Sequence, residues 1–411
     1  MKQAILSTLA VASTLGAASA DLYYIPGETQ EPIPLRWTAG VDVIYDTNVT
    51  PTAGPGPGHK DEAVSANPFV GLTFVSISPQ STLDVSLRLG AIYYFDTPDA
   101  IGSDDLYGQA HLSLNWTHRV NERLRFSSRN YVSYELEPDY SVGVATTRQL
   151  GEYLYATTDN SVGYRWTERL ATYTGFTLTW LDYDGDVSSQ DRFTWSIYNQ
   201  FRFQVNQQLV ATAEYRFANT DSNGLASDYK DHYILIGVEY RFSPNTIVTA
   251  KAGAQIHDAD SGDDNTSPYF EVAARTQVNQ QLSIRGFLRY SVEGYDTVRG
   301  VATGDVYDFD KRSTLRIGIS SEYAISNKLS LFGGIDYIPA TFDDGRLVAG
   351  TGSLNSGKFD EDLVNAYIGL NVKFTDLLSG SVSYNYTNSD SDFPSQSYDR
   401  SRVSVGVRAE F

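Results

Sequence analysis

Apolar and polar residues alternate with a period of two through most of the chain after residue 36, and a period of 3.6 finds almost nothing. Between Phe193 and Gln204, the apolar Phe193, Trp195, Ile197, Phe201 and Phe203 are interleaved with Thr194, Ser196, Tyr198, Gln200 and Arg202. The next segment sets Leu209, Ala211, Ala213, Tyr215 and Phe217 against Thr212, Glu214 and Arg216. The last sets Val403, Val405, Val407, Ala409 and Phe411 against Arg402, Ser404, Gly406, Arg408 and Glu410. Side chains alternate across a strand, so each segment predicts a strand with one greasy and one wet face.

Two kinds of connection alternate between these segments. Short polar turns closed by an apolar residue occupy 77–83, 119–124, 166–170, 205–209, 242–247, 278–282, 325–329 and 374–378. Longer Gly- and Asp-rich connections occupy 51–65, 97–105, 137–150, 184–190, 221–229, 258–266, 296–308, 340–360 and 389–397. Nine long and eight short connections join eighteen strands, with sixteen as the nearest alternative because the limits around 66–96 and 329–374 are indistinct. An even count puts both chain ends on the side of the short turns, as in bacterial outer-membrane barrels. The fold class is all-β, a single antiparallel up-and-down transmembrane barrel with short periplasmic turns and longer acidic external loops. A propeller or sandwich would show turns with no consistent sidedness. Aromatic residues recur near strand ends: Trp116, Trp166, Phe203, Phe217, Tyr240, Phe242 and Phe374 beside short turns, and Tyr93, Tyr94, Tyr183 and Tyr295 beside long loops. They predict two interfacial girdles.

Composition adds a membrane setting without membrane helices. No apolar run of eighteen residues follows the N-terminus, but a barrel strand crosses a bilayer in about 9–11 alternating residues. Apolar cover comes from 29 Tyr, 19 Phe and 5 Trp, residues suited to strands and interfaces. There is no cysteine, which excludes disulfides and thiolate chemistry. The net charge of −19 disfavours nucleic acid as a partner. Lys2, an apolar run from Ala4 to Leu15 and the small residues Ala18, Ser19 and Ala20 predict a signal peptide over 1–20. A periplasmic segment over 21–35 and a barrel over 36–411 follow. The segment is too short for a plug domain, so an energy-coupled transporter is not expected.

The final strand with its alternating valines and terminal Phe411 resembles the signal read by the barrel assembly machinery on outer-membrane proteins, carried here by Val405, Val407 and Phe411. The repeated hairpin, whose turns read apolar residue, then Asn, Ser or Thr, two free positions and Leu, resembles the β-barrel porin families of Gram-negative bacteria over residues 36–411. The resemblance implies an outer-membrane location and passive diffusion of small hydrophilic solutes or ions, with membrane lipid and the assembly machinery as partners. A homotrimer fits general porins, and an apolar patch outside the girdles would mark its interface.

A sheet this wide leaves a lumen that side chains cannot fill. Parity turns Arg125, Arg129, Arg202, Glu214, Arg216, Glu239, Arg241, Arg285, Arg289, Glu293, Arg316 and Arg408 inward as candidate pore-lining residues, together with Arg88, Glu135, Arg275, Lys373, Arg402 and Glu410. Arg119, Arg165, Arg202, Arg241, Arg275, Lys373 and Arg408 lie near short turns and predict a basic collar at the periplasmic mouth, facing acidic external loops. The collar could tune ion selectivity, or the arginines could simply pair with glutamates on neighbouring strands.

Three rival readings carry less. Asp258, Asp260 and Asp264 bear oxygens at alternate positions around Gly262, a partial calcium-loop pattern that lacks the distal Glu. Catalysis would draw on His59, His111, His118, His232 and His257, which are scattered and flank no nucleophile motif. An anchor or adhesin would act through its loops, which are too short to build a receptor domain. No cofactor is expected.

Overall fold

The computed structural model describes residues 32–49, 62–96, 105–136, 151–184, 191–223, 226–243, 245–260, 265–295, 297–300, 304–352, 357–393 and 396–411. The signal peptide expected over 1–20 lies outside them. Among the described residues every regular element is a strand. In chain order these are β1 Ile33–Asp46, β2 Ala63–Ile77, β3 Ser81–Tyr94, β4 Leu106–Arg119, β5 Leu124–Glu135, β6 Tyr153–Arg165 and β7 Leu170–Tyr183. Then come β8 Arg192–Gln204, β9 Leu209–Ser222, β10 Tyr229–Ser243, β11 Thr246–Ala259, β12 Asn265–Gln277 and β13 Leu282–Glu293. The last are β14 Val298–Gly300, β15 Val306–Ala324, β16 Leu329–Ala349, β17 Phe359–Lys373, β18 Leu378–Ser391 and β19 Tyr398–Glu410.

Each strand pairs antiparallel with its sequence neighbours, except that β13 pairs with β15 and the short β14 adds to the outer end of β15. β1 closes the ring on β19, from Thr38 opposite Glu410 to Asp46 opposite Arg402. The molecule is thus a closed barrel of eighteen strands plus one extra short strand, with no free sheet edge to satisfy. Phe411 joins the seam, exchanging backbone hydrogen bonds with Trp37 at 2.8 and 3.1 Å.

The recurring Asn, Ser or Thr of the short turns has a specific task. Asn121 Oδ1 accepts the N–H groups of Arg123 and Leu124 at 2.8 and 2.9 Å, and Asn206 and Asn279 repeat this with Gln208 and Leu209 and with Gln281 and Leu282. The hydroxyls of Thr167, Ser326 and Thr375 do the same in their turns. These side chains satisfy backbone donors that a tight reversal leaves unpaired. All eight turns found in the sequence join consecutive strands.

Outward positions form the apolar wall, exemplified by Ile234, Ile236, Phe201 and Val405. Trp116, Trp166, Phe203, Phe242 and Phe374 are exposed near the short turns, where a girdle is expected. Phe217 instead lies in the outer half of β9, opposite His232 and Ile197, because β9 starts at Leu209 and eight residues of strand separate it from the turn. Tyr94 and Tyr183 are buried on the inner face, and Tyr295 also lies inside. Adjacent tyrosines such as Tyr93 and Tyr94 must point to opposite faces of a strand, so only Tyr93 faces outward.

The connection expected over 340–360 is largely strand. β15 and β16 continue as a hairpin past the rest of the barrel, paired as far as Val306 opposite Ala349, which shortens the loop to 350–358. Within the hairpin Asp344 adopts a left-handed φ of 59°, unusual for a residue with a side chain, and its carboxylate meets Lys311 Nζ at 3.1 Å. Beside it Phe309 and Phe342 form one cluster with Phe359, Phe393 and Tyr307.

β13 leaves the wall at its outer end. Its last rung with β12 pairs Tyr290 with Phe270, and the residue that would next face Val292 is Pro268, which has no N–H to give. The wholly buried Gln255 of β11 replaces the lost ladder, its Nε2 donating to Val292 O at 2.8 Å and its Oε1 accepting from Val292 N at 2.9 Å. Gln255→Leu strands both backbone groups and is expected to cost about 1–3 kcal/mol. A lowered urea midpoint of the refolded barrel would register that loss; an unchanged midpoint would mean that the peeled end needs no such support.

Candidate functional site

The twelve candidate lumen residues all sit on the parity opposite the apolar wall. Arg129 faces Asp159 across β5 and β6, and Arg125 faces Gly163. Arg202 and Thr212 are register partners, as are Glu214 with Leu235 and Glu239 with Thr249. Arg216 lies opposite Tyr198 and Arg241 opposite Ile247. Arg285 faces Arg275 and Ser320, Arg289 faces Glu271 and Arg316, and Arg408 faces Gly40 and Ser379.

Two carboxylates organise the filled side of this lumen. Glu293, 4% exposed, accepts from Arg316 through both oxygens at 2.9 Å, from Arg289 at 3.1 Å, and has Arg312 at 3.3 Å. Glu214 accepts from Gln200 and Lys251 at 2.8 Å and from Arg216 at 2.5 Å. Beside them Arg202 meets Glu239 at 2.6 Å, and Tyr269 donates to Glu271 at 2.8 Å. Ions held this way inside a protein persist only when their remaining donors and acceptors are also satisfied. Pairing of arginines with glutamates on nearby strands is therefore realised across β8 to β15.

Several members of this network escaped the sequence reading. Lys251 and Gln255 alternate on β11 with Ala250, Ala252 and Ala254, so the outward face is too weakly apolar to announce the strand's parity. Arg312 stands four residues beyond the connection drawn at 296–308, where strand limits blur. Arg400, which pairs with Asp46 across the closing seam, could be matched to it only once the ring was known to close.

The outer end of the lumen is crossed by chain. Tyr295, just past β13, accepts from Arg316 at 3.1 Å and lies under Arg192 of β8, whose guanidinium carbon is 4.4 Å from the ring centre. Ser227, between β9 and β10, donates to Asp308 of β15 at 3.0 Å and accepts from Arg346 of β16 at 2.7 Å. Gly300 of β14 accepts from Gln396, between β18 and β19, at 3.3 Å. These contacts join strands far apart around the ring, so Tyr295, β14 and the outer end of the β15–β16 hairpin fold inward toward β8 and the start of β10. Behind them Lys251, Gln255 and His257 are buried. Elsewhere the inner wall stays half-exposed: Asp42 with Arg88 at 3.0 Å, His111, Asn115, Asn385, Arg402 and Arg408. At the rim Asp191 accepts from Tyr183 N at 2.8 Å, and burial pushes its carboxyl above the usual range.

The short-turn end has the opposite character. A cavity of about 520 Å³ there is lined by Arg119, Arg123, Arg125, Arg129, Arg165, Arg169, Arg202 and Arg241, against Glu122, Asp159, Glu168 and Glu239. Cations outnumber anions, and among the described residues Arg119, Arg123, Arg125 and Arg169 form no ion pair. Such an excess of fixed charge in a low-dielectric groove concentrates anions.

The histidines divide between the faces. His111 and His257 point inward, the first 3.3 Å from Glu135 and the second 2.9 Å from Asp231 and packed on Tyr229. His118 stacks on Trp116 and His232 meets Tyr215 OH at 2.8 Å, both outside. His59 and Asp264 lie outside the described residues. Asp258 sits opposite Lys230, whose Nζ is 3.7 Å from Asp260, and no group of three metal-ligating side chains occurs among the described residues.

Only a bilayer would cover a wall so apolar, and only water would tolerate so much charge within it; the chain is an integral membrane β-barrel of the outer-membrane type. No protein-family model matches it, and no curated protein does. Among solved structures it is similar to OccAB4 of Acinetobacter baumannii, at 12% identity and a TM-score of 0.46, with 93% of this chain and 99% of that one covered. It is similar as well to OpdK of Pseudomonas aeruginosa, solved with vanillate, at 12% identity, a TM-score of 0.47 and coverage of 92% and 99%. A BenF-like porin of Pseudomonas fluorescens Pf-5 gives 10% identity, a TM-score of 0.47 and coverage of 92% and 98%.

Proposed function

We propose that the protein is an outer-membrane porin, a water-filled channel for passive diffusion of small hydrophilic solutes or ions, and not an enzyme. The observation that carries this is the division of the lumen: one side is packed by ion pairs and inward-folded chain, while polar side chains on β1, β3 to β5, β18 and β19 remain half-exposed along the other. A barrel serving only as an anchor has no need of such a lining. Single-channel recording of the refolded barrel in a planar bilayer with potassium chloride should give stable conductance steps. A folded, heat-modifiable barrel that passes no current would reject the channel and favour an anchor acting through its external loops.

The candidate pore-lining arginines at the short-turn mouth would bias that channel toward anions. Replacing Arg125 and Arg129 together with Glu inverts charge where no described carboxylate pairs with Arg125. The reversal potential in a salt gradient is expected to move toward the cation-selective side. An unmoved potential would place the selectivity-determining constriction elsewhere.

A further inference from the structure

The outer wall is apolar around nearly the whole ring, with one interruption on β5 to β8. Ser128 and Asn130 of β5, Thr158 and Asn160 of β6, Thr174 of β7 and Asn199 of β8 all face outward, alternating with lumen-facing Arg129, Asp159, Gly175 and Tyr198. They share lateral rows with the exposed Phe176 and Ile197, and the three asparagines lie near the middle of their strands. Among the described residues no other asparagine, glutamine or charged group occupies a mid-strand outward position.

Part of this polarity is satisfied sideways. Asn130 Nδ2 donates to Ser128 Oγ at 3.0 Å and to Leu114 O at 3.4 Å, and its Oδ1 accepts from Thr158 at 2.7 Å. Asn160 Nδ2 donates to Thr158 Oγ1 at 2.7 Å, and Asn199 Nδ2 donates to Thr174 Oγ1 at 2.6 Å. The Oδ1 atoms of Asn160 and Asn199 accept nothing among the described residues, and each of these two amide nitrogens has a second hydrogen to give. Lipid tails supply neither donor nor acceptor, so polar groups left facing them are costly.

We propose that this face of β5 to β8 packs against a second copy of the chain within the membrane, the two asparagine patches exchanging amide hydrogen bonds. The occupant follows from the chemistry of the patch. It carries no charge that would call for an oppositely charged partner, and each open amide edge is donor and acceptor at once, so the surface complements itself. Apolar contact alone does not drive association between surfaces already in lipid; hydrogen bonds and close packing do. On a wall that is otherwise apolar, a polar patch marks an interface where a further apolar patch would not stand out. The inference needs the barrel to lie in a membrane but is independent of what its lumen carries.

The chain has no cysteine, so Asn160→Cys introduces a single thiol. In vesicles of the refolded full-length barrel, oxidation should convert most of N160C to a disulfide-linked dimer, while Ile335→Cys on the far side of the ring stays largely monomeric. Sedimentation in detergent should give a multiple of the single-barrel mass for the unsubstituted protein. The triple variant Asn130→Leu, Asn160→Leu, Asn199→Leu should fall to the single-barrel mass while remaining folded and heat-modifiable. Equal cross-linking at the two positions, a single-barrel mass for the unsubstituted protein, or an assembly that survives the three leucines would each overturn the proposal. Should the triple variant fail to fold, the two cysteine variants still decide, since neither disturbs more than one side chain.

Discussion

Replacing Glu293 with Ala is expected to destabilise the barrel by about 3–5 kcal/mol, the usual consequence of leaving buried charge without its partner. Glu293 is the common acceptor for Arg289 and Arg316 and the neighbour of Arg312, all on the inner face of β13 and β15. Truncation would leave three guanidinium groups crowded together, and both Arg312 and Arg316 are 4% exposed or less. Because Arg316 also donates to Tyr295, the change should loosen the hold on Tyr295 at the outer end of the lumen. Two measurements check this: the denaturant midpoint in micelles should fall, and single-channel conductance should rise or become noisy. Glu293→Gln keeps the shape and one acceptor and should give a smaller shift in the same direction. An unchanged midpoint in the alanine variant would show that water neutralises the cluster without help from the carboxylate.

Ile236→Arg should cost a comparable amount for an unrelated reason. Ile236 is 70% exposed, midway along β10, and points away from the lumen between Ile234 and Val238. A charged side chain on the lipid face near the bilayer midplane destabilises a membrane barrel by about 2–4 kcal/mol. The same substitution on a wall facing water would be nearly neutral. Reversible unfolding from lipid vesicles, with Ile236→Leu as the control, separates the two. A variant as stable as the control would move the bilayer away from this part of the wall and with it the membrane assignment of the barrel.

The strand count, the sidedness of the connections and the inward parity of the arginines were legible in the sequence because they depend on local repetition. A strand places its residues on alternate faces whatever it pairs with, and a turn of a few residues closes on its own side-chain acceptor, as Asn206 and Thr375 do. Where the apolar face is strong, as in β8 with Phe193, Ile197 and Phe201, parity was plain. In β11, whose outward face is built from alanines, the pattern is too weak to show that Lys251 points inward. The girdle positions of Phe217, Tyr94 and Tyr183 failed for a related cause. Proximity to a connection does not say which strand end, or which face, a ring occupies.

Sequence by itself thus determined the barrel and its wet and greasy surfaces. Tertiary structure decided which lumen charges meet, that β13 departs from the wall opposite Pro268, that the β15–β16 hairpin runs on into the expected loop, and that Tyr295 reaches across to Arg192. The physical reason is separation along the chain. Periodicity fixes the direction of each side chain from its immediate neighbours, whereas a contact such as Ser227 with Arg346 exists only after closure has fixed the curvature of the sheet and brought distant strands face to face across the lumen.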